Sequence, residues 1–183
     1  MKIFLSKWVV AVVLATVALT ACEKAESEAP VGIELVYIPQ SVLSGGTNLN
    51  YPVPTGLGTA KNFKVEGDVL NVLLGISKSG KAEAEAFTVD VSTRADTINQ
   101  LIAGGETFQL LPSSTYTLPQ IVSVESGSNS ANFNLAINKT ALKTYAGKKM
   151  AVCVVISNPT LYSLSAKNRQ VIVIIDVNAL KLD

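Results

Sequence analysis

Phe133-Asn134-Leu135-Ala136-Ile137-Asn138 carries a large apolar side chain at every second residue, with Asn132, Asn134, Ala136 and Asn138 in between. A period of two sets the apolar file on one face of an extended chain and the small polar file on the other, which describes a strand with one wet face. Upstream, Phe87, Val89 and Val91 alternate with Ala86, Thr88, Asp90 and Ser92 in the same way. Leu70, Val72, Leu74 and Ile76 form another apolar file. Its partner file, Val69, Asn71, Leu73 and Gly75, is itself partly apolar, as expected of a more central strand. Ile33 to Ile38, Phe108 to Leu111, Ile121 to Val124, Met150 to Ile156 and Gln170 to Val177 bring the set to about eight strands.

Turn chemistry separates these runs at Ser44-Gly45-Gly46, Gly56 and Gly58, Ser79-Gly80, Gly104-Gly105, Gly127-Ser128-Asn129 and Asn158-Pro159. Two stretches leave the pattern. Asp96 is placed to cap a helical turn carrying Ile98, Leu101 and Ile102 toward the core, and Asn138 to cap a second carrying Leu142 and Tyr145 and ending at Gly147. Both are expected to be crossover turns, too short to pave a sheet face. Segment 41–62, rich in Gly, Pro, Thr and Asn with Tyr51 beside Pro52 and Pro54, reads as a long loop or a poorly formed edge. Short, regularly spaced strands without a long helix predict an all-β, immunoglobulin-like β-sandwich of about seven to eight strands with one or two short helical turns, spanning residues 33–178. Residues 179–183 form a C-terminal tail. A domain of this size buries roughly 68–70% of its unfolded surface, so it needs no disulfide.

The N-terminus is of another kind. Lys2 and Lys7 precede an uncharged apolar run from Trp8 to Leu19, followed by small residues, which is the layout of an export signal over residues 1–21. A membrane-spanning helix needs about 20 apolar residues, and Glu23, Lys24, Glu26 and Glu28 end this run sooner. Leu19-Thr20-Ala21-Cys22 resembles a bacterial lipobox, in which the Cys becomes the lipidated first residue of the mature protein. That resemblance implies a membrane partner engaged through acyl chains on Cys22, each buried methylene contributing about 0.8 kcal/mol. Residues 22–32 then read as the lipidated Cys and a flexible acidic tether, because Glu23 to Pro30 has no apolar period. Its acidic residues resemble the surface-export signal of Bacteroidetes lipoproteins.

Composition excludes several activities. The chain of 183 residues has no His, so Ser/His/Asp and Cys/His nucleophile pairs, His-ligated metal sites and the usual near-neutral proton shuttle are absent. Removing residues 1–21 takes away Lys2 and Lys7 and leaves 13 basic against 14 acidic side chains, a formal charge of −1. Arg94 and Arg169 are the only arginines, and the lysines are scattered, so no nucleic acid is expected as a partner. Gly45-Gly46 and Gly104-Gly105 lack the Lys and spacing of a phosphate-binding loop. Asp90, Asp96 and Glu106 lack the spacing of a calcium loop, and neither metal nor cofactor is expected.

From about residue 84 onward the order of motifs resembles a Bacteroidetes surface-lipoprotein family with an immunoglobulin-like domain of unknown function. The likeness rests on Phe87-Thr88-Val89-Asp90-Val91, on Leu111-Pro112-Ser113-Ser114-Thr115-Tyr116-Thr117-Leu118, and on the turn at Gly127. Phe133 to Asn138, Leu142, Ile156-Ser157-Asn158 and the terminal strand from Val171 complete it. Lys148-Lys149-Met150-Ala151 stands where the family commonly shows Tyr-x-Leu-Pro. Family members often precede glycan-binding or glycosidase modules and accompany outer-membrane glycan-uptake machinery. The resemblance therefore implies an outer-membrane, surface-exposed lipoprotein acting as an accessory or binding module in glycan capture. The alternative is a structural or adhesion protein that engages another surface protein through strand edges or loops.

Individual side chains follow from these readings. Glu83 and Glu85 share a face of an extended segment, but a run alternating with alanine is a solvated edge, and catalytic pairs seldom come from one strand. No catalytic residue is assigned and the protein is expected not to be an enzyme. Sugar binding usually employs aromatic rings. Tyr37, Tyr116 and Tyr145 sit in strand or helix contexts that favour the core, whereas Tyr51 and Tyr162 lie in loop-like sequence and are the candidate ligand-binding residues. Cys153, inside Val152-Cys153-Val154-Val155, is expected to be a buried inert thiol. Asp96-Thr97-Ile98 resembles the acceptor pattern for O-glycosylation of Bacteroidetes envelope proteins, which makes Thr97 a candidate modification site.

Overall fold

The computed structural model describes residues 32–42, 48–55, 61–80 and 85–182. The expected export signal over 1–21, Cys22, the tether up to residue 31, Gly45-Gly46, Gly56, Gly58 and Glu83 lie outside them. Twelve strands form among the described residues: β1 (Leu35–Tyr37), β2 (Asn50–Val53), β3 (Phe63–Glu66), β4 (Val69–Lys78), β5 (Phe87–Thr93), β6 (Gln109–Leu110), β7 (Tyr116–Thr117), β8 (Ile121–Val124), β9 (Ser130–Asn138), β10 (Lys149–Ser157), β11 (Ser163–Leu164) and β12 (Gln170–Asp176). They divide into two six-stranded sheets. In the first sheet the order is β11-β1-β4-β9-β7 with β3 also on β4, and in the second it is β2-β12-β10-β5-β8 with β6 also on β10. This is the all-β sandwich that the alternation predicts, with four strands more than the eight runs read from sequence.

The main core lies between the sheets. Leu70, Val72, Leu74 and Ile76 of β4 and Phe133, Leu135 and Ile137 of β9 meet Val89 of β5, Val152 and Val154 of β10, and Val171 and Val173 of β12. Removing these aliphatic faces from water contributes roughly 25 cal/mol per Å² and drives the two layers together. β10 is buried along nearly its whole length, because its second file also finds a cover. Ala151, Cys153 and Val155 pack with Ile172, Phe108 and Ile98 in a separate cluster on the outer face of the second sheet.

Ile98 belongs to helix α1 (Ala95–Ala103), which does pave part of a sheet face, contrary to the expectation of a mere crossover turn. The helix starts two residues earlier than a cap at Asp96 predicts. Arg94 takes the N-cap position without a side-chain cap, so Asp96 sits in the first turn instead of capping it. Ile102, expected to face inward, is exposed, while Leu101 packs on the Ile98 cluster. Helix α2 (Lys139–Lys143) follows the expectation: the Asn138 side chain accepts the Ala141 N–H at 2.6 Å, and Leu142 is fully buried. Asp68 reinforces this cap, its carboxylate accepting the Thr140 N–H and hydroxyl and the Asn138 amide at 3.1, 2.8 and 2.9 Å. Leu180 and Leu182, placed in the C-terminal tail by the sequence, pack against the main core.

Candidate functional site

Neither of the two tyrosines singled out in sequence forms an open platform. Tyr51 lies in the edge strand β2, where alternation turns it inward beside the exposed Pro52, and only 6% of it is accessible. Its hydroxyl donates to the Leu73 carbonyl at 3.3 Å, and burial pushes its pKa up. The expectation of an exposed ring is thus corrected: proline flanks suit an edge strand as well as a loop. Tyr162 is half-buried with φ +69, a left-handed conformation unusual for a residue with a side chain. Its ring meets Phe87 edge-on at 5.3 Å, the Lys78 ammonium stands 4.9 Å from its centre, and its hydroxyl accepts the Glu85 N–H at 2.8 Å. Lys78 itself is paired with Glu34 at 2.7 Å and its side chain is fully buried. Tyr162 therefore braces the end of the sandwich, with its ring and hydroxyl already engaged.

Tyr37, expected in the core, is half-buried on β1. Tyr145 packs against the core as expected. Glu85 is exposed. Asp90 accepts a hydrogen bond from the Asn158 amide at 2.8 Å. Among the described residues no three Cys, Asp or Glu side chains gather as a metal site.

Among the described residues, two concave surfaces lie around Tyr116. After Pro112 the chain makes a single 3-10 turn, Ser113–Thr115, closed by the Thr115 hydroxyl donating to the Pro112 carbonyl at 2.6 Å. That turn delivers Tyr116 to β7, where it pairs with Ile137 of β9. The ring packs on the core with one side and separates two clefts with the other. One cleft is lined by Thr93, Arg94, Ser113, Leu110 and Cys153. The second is lined by Ser114, Thr117, Val69 and Asn138. The Tyr116 hydroxyl bridges to Thr93 Oγ1 at 3.2 Å.

Chemically, the clefts offer an aromatic ring, hydroxyls, an amide and one guanidinium, and none of their lining residues is a carboxylate. Such a set recognises hydroxyl-rich or weakly anionic groups and contains no acid/base pair. Cys153 is fully buried, and desolvation pushes its thiol pKa up, with the Thr97 hydroxyl hydrogen-bonded to it. A thiol so placed is inert. The Thr97 hydroxyl, the candidate O-glycosylation acceptor, is correspondingly turned toward the sheet. Sequence reasoning assigned Tyr116 to the core and passed over Arg94 and Thr93. The available signal was the Leu111-Pro112…Tyr116 motif, which builds the wall between the clefts.

Comparison with known proteins places the fold. A family model described as “-like, N-terminal domain” matches residues 36–162. No curated protein matches the sequence. Among solved structures, a candidate carbohydrate-binding protein from Bacteroides ovatus aligns with a TM-score of 0.51 at 16% identity, over 69% of this chain and 34% of that one. A two-domain protein of unknown function from Bacteroides fragilis aligns with a TM-score of 0.52 at 12% identity, over 79% and 45% of the two chains. EndoBT-3987 of Bacteroides thetaiotamicron, solved with a Man5GlcNAc product, aligns with a TM-score of 0.50 at 16% identity, over 76% and 30%. The chain thus spans less than half the length of each of these proteins, and at such identities the likeness is one of fold. The family match covers more than two thirds of the sequence, and the chain belongs to this “-like, N-terminal domain” family, in line with its resemblance to Bacteroidetes domains of unknown function.

Proposed function

We propose that the protein is a non-catalytic module for glycan capture, held at the outer face of the cell envelope by a lipid on Cys22. The observation that carries the binding part is the pair of clefts on either side of Tyr116, where a ring, hydroxyls, an amide and Arg94 converge without a carboxylate. Rings stack on the C–H faces of sugars, and neutral hydrogen-bonding groups replace the water around sugar hydroxyls. The fold shared with a candidate carbohydrate-binding protein of Bacteroides ovatus supports the same reading. The anchor rests on the spacing of Leu19-Thr20-Ala21-Cys22 after the apolar run.

The test is calorimetry of the full-length protein in detergent micelles against a polysaccharide panel, with Arg94→Ala as the cleft variant. Saturable binding weakened by that substitution is the expected result. Absence of binding to every polysaccharide overturns the glycan reading. A second reading, adhesion to another surface protein through a strand edge, draws on β8, where Ile121 is 60% exposed at the border of the second sheet. Co-purification of a defined protein that Ile121→Lys abolishes, with no polysaccharide bound, decides for it.

A further inference from the structure

The outer face of the first sheet breaks the usual composition of a solvated strand surface. Asn71, Leu73 and Gly75 of β4 face outward there beside Ala136, Asn134 and Asn132 of β9, paired row by row. Asn and Gly are depleted from strands, and a glycine inside a central strand often marks the close approach of another group. The β4 and β9 residues of these rows carry no charge, and on the β3 side Lys64 is paired with Asn71, whose amide donates to Glu66 at 3.1 Å. The neighbouring ions, Lys64 and Glu66 of β3, neutralise each other.

Gly75 shows what the arrangement achieves locally. A Cβ at that position would stand 3.2 Å from Asn132 Oδ1 and 3.3 Å from the Ala131 carbonyl, so the absent side chain lets the Asn132 amide lie across the strand. From the other side the Gln40 amide oxygen accepts the Gly75 N–H at 3.1 Å. Leu73, 44% exposed, is left as the one large apolar side chain of these rows, bordered by amides. The strip continues into the cleft beside Tyr116, which Val69, Thr117, Ala136 and Asn138 line. At about 3.3 Å per residue, β4 from Val69 to Ser77 gives it a length of about 26 Å.

We propose that this strip is the track on which an uncharged glycan chain lies, running from the Tyr116 cleft along β4 and β9. This inference rests on the glycan reading and adds to it a surface and a ligand class. Leu73 meets the C–H face of one sugar ring, and Asn132 and Asn134 hydrogen-bond hydroxyls on either side. The charge balance fixes the occupant. Side-chain amides both donate and accept, matching vicinal hydroxyls, and they provide no ion for an acidic sugar, nucleic acid or anionic bilayer. A protein partner would demand a wider apolar patch than Leu73 and Val69 provide.

The test is biolayer interferometry of the full chain in detergent micelles on immobilised amylopectin, mannan and arabinoxylan, with polygalacturonate as the acidic contrast. Asn132→Thr/Asn134→Thr keeps the strands intact, and Leu73→Ser provides a second, independent change. Each is expected to weaken the neutral polysaccharide bound by the wild type at least tenfold, with an unchanged circular dichroism spectrum. If the wild type binds a neutral polysaccharide and both variants bind it equally well, the track is wrong while the glycan reading stands. Preference for polygalacturonate overturns the neutral class. Failure of the wild type to bind any of the four overturns both.

Discussion

The outer faces of the two sheets are built on the same pleat and meet opposite fates. On the second sheet, Ala151, Cys153, Val155 and Ile172 are buried beneath Ile98 of α1 and Phe108. On the first, the corresponding file is Asn71, Leu73, Asn132 and Asn134, which remains open to solvent. The core-facing files of both sheets are equally aliphatic, so the main core does not explain the difference. It lies in the alternate residues of the strands and in whether the connection between neighbouring strands supplies a cover. The link from β5 to β6 carries a nine-residue amphipathic helix, whereas the link from β3 to β4 is the tight turn Gly67-Asp68, with φ +59 at Gly67.

The strongest way to break this contrast is to uncover the closed face. Ile98→Ala removes a fully buried side chain from the helix–sheet contact and is expected to cost about 2–5 kcal/mol in a urea unfolding curve. It should also make Cys153 react with a disulfide reagent under native conditions. The wild-type thiol, buried and with its pKa pushed up, should react only after unfolding. An unchanged labelling rate would mean that the helix is not the cover.

At the rim of the open face a smaller effect is expected. Asn138→Ala deletes the α2 cap and should cost about 1 kcal/mol. Its partner Asp68 is exposed, and the Thr140 hydroxyl, helped by the Asn138 amide and the Thr140 N–H, holds its carboxyl below the ordinary carboxylate range. A depressed native value makes the contribution of this group present above the unfolded pKa of about 3.9 and lost as pH falls through the native one. A carboxyl-carbon NMR titration should therefore place Asp68 below that reference. Unfolding curves below pH 4 should show less acid sensitivity in Asp68→Asn than in the wild type.

The smallest expected change has the opposite sign. Asn132→Thr and Asn134→Thr put a residue favoured in strands where a disfavoured one stands, and each is expected to raise stability by a few tenths of a kcal/mol, read as a rise in Tm. A loss of stability would show that the amides hold the sheet together, and the two outer faces would then differ in packing partner alone.

The long strands were legible for two reasons: β4, β5 and β9 each show an apolar side and a wetter one, and β10 and β12 stand out as unbroken apolar runs. The four strands missed have other causes. β7 and β11 are two residues long and exist only through their pairing with β9 and β1. β2 carries Pro52, which an edge position tolerates. β3 did have a signal in Gly67-Asp68, the two-residue loop of a hairpin. The site was harder to read because Thr93, Arg94, Ser113 and Tyr116 come from two separate segments, and only sheet pairing brings them to one cleft. Tyr162 looked like a free loop residue, and its left-handed backbone, which turns the ring back onto Phe87 and Lys78, leaves no trace in composition.

β1 lies between β4 and β11 at the point where the described chain begins. There the Ser79 hydroxyl donates to the Ile33 carbonyl at 2.6 Å and accepts the Leu35 N–H at 3.0 Å, and the Ser79 N–H donates to the Leu35 carbonyl at 2.9 Å. Together with the Lys78–Glu34 pair, these bonds form a mechanical buckle: traction on the backbone upstream of Gly32 is met by the β4 terminus before it reaches the rest of the sandwich. Flow or tugging at that end would strain one corner first, and the cleft lined by Thr93, Arg94, Ser113 and Leu110, carried on other strands, would keep its shape until the buckle opened.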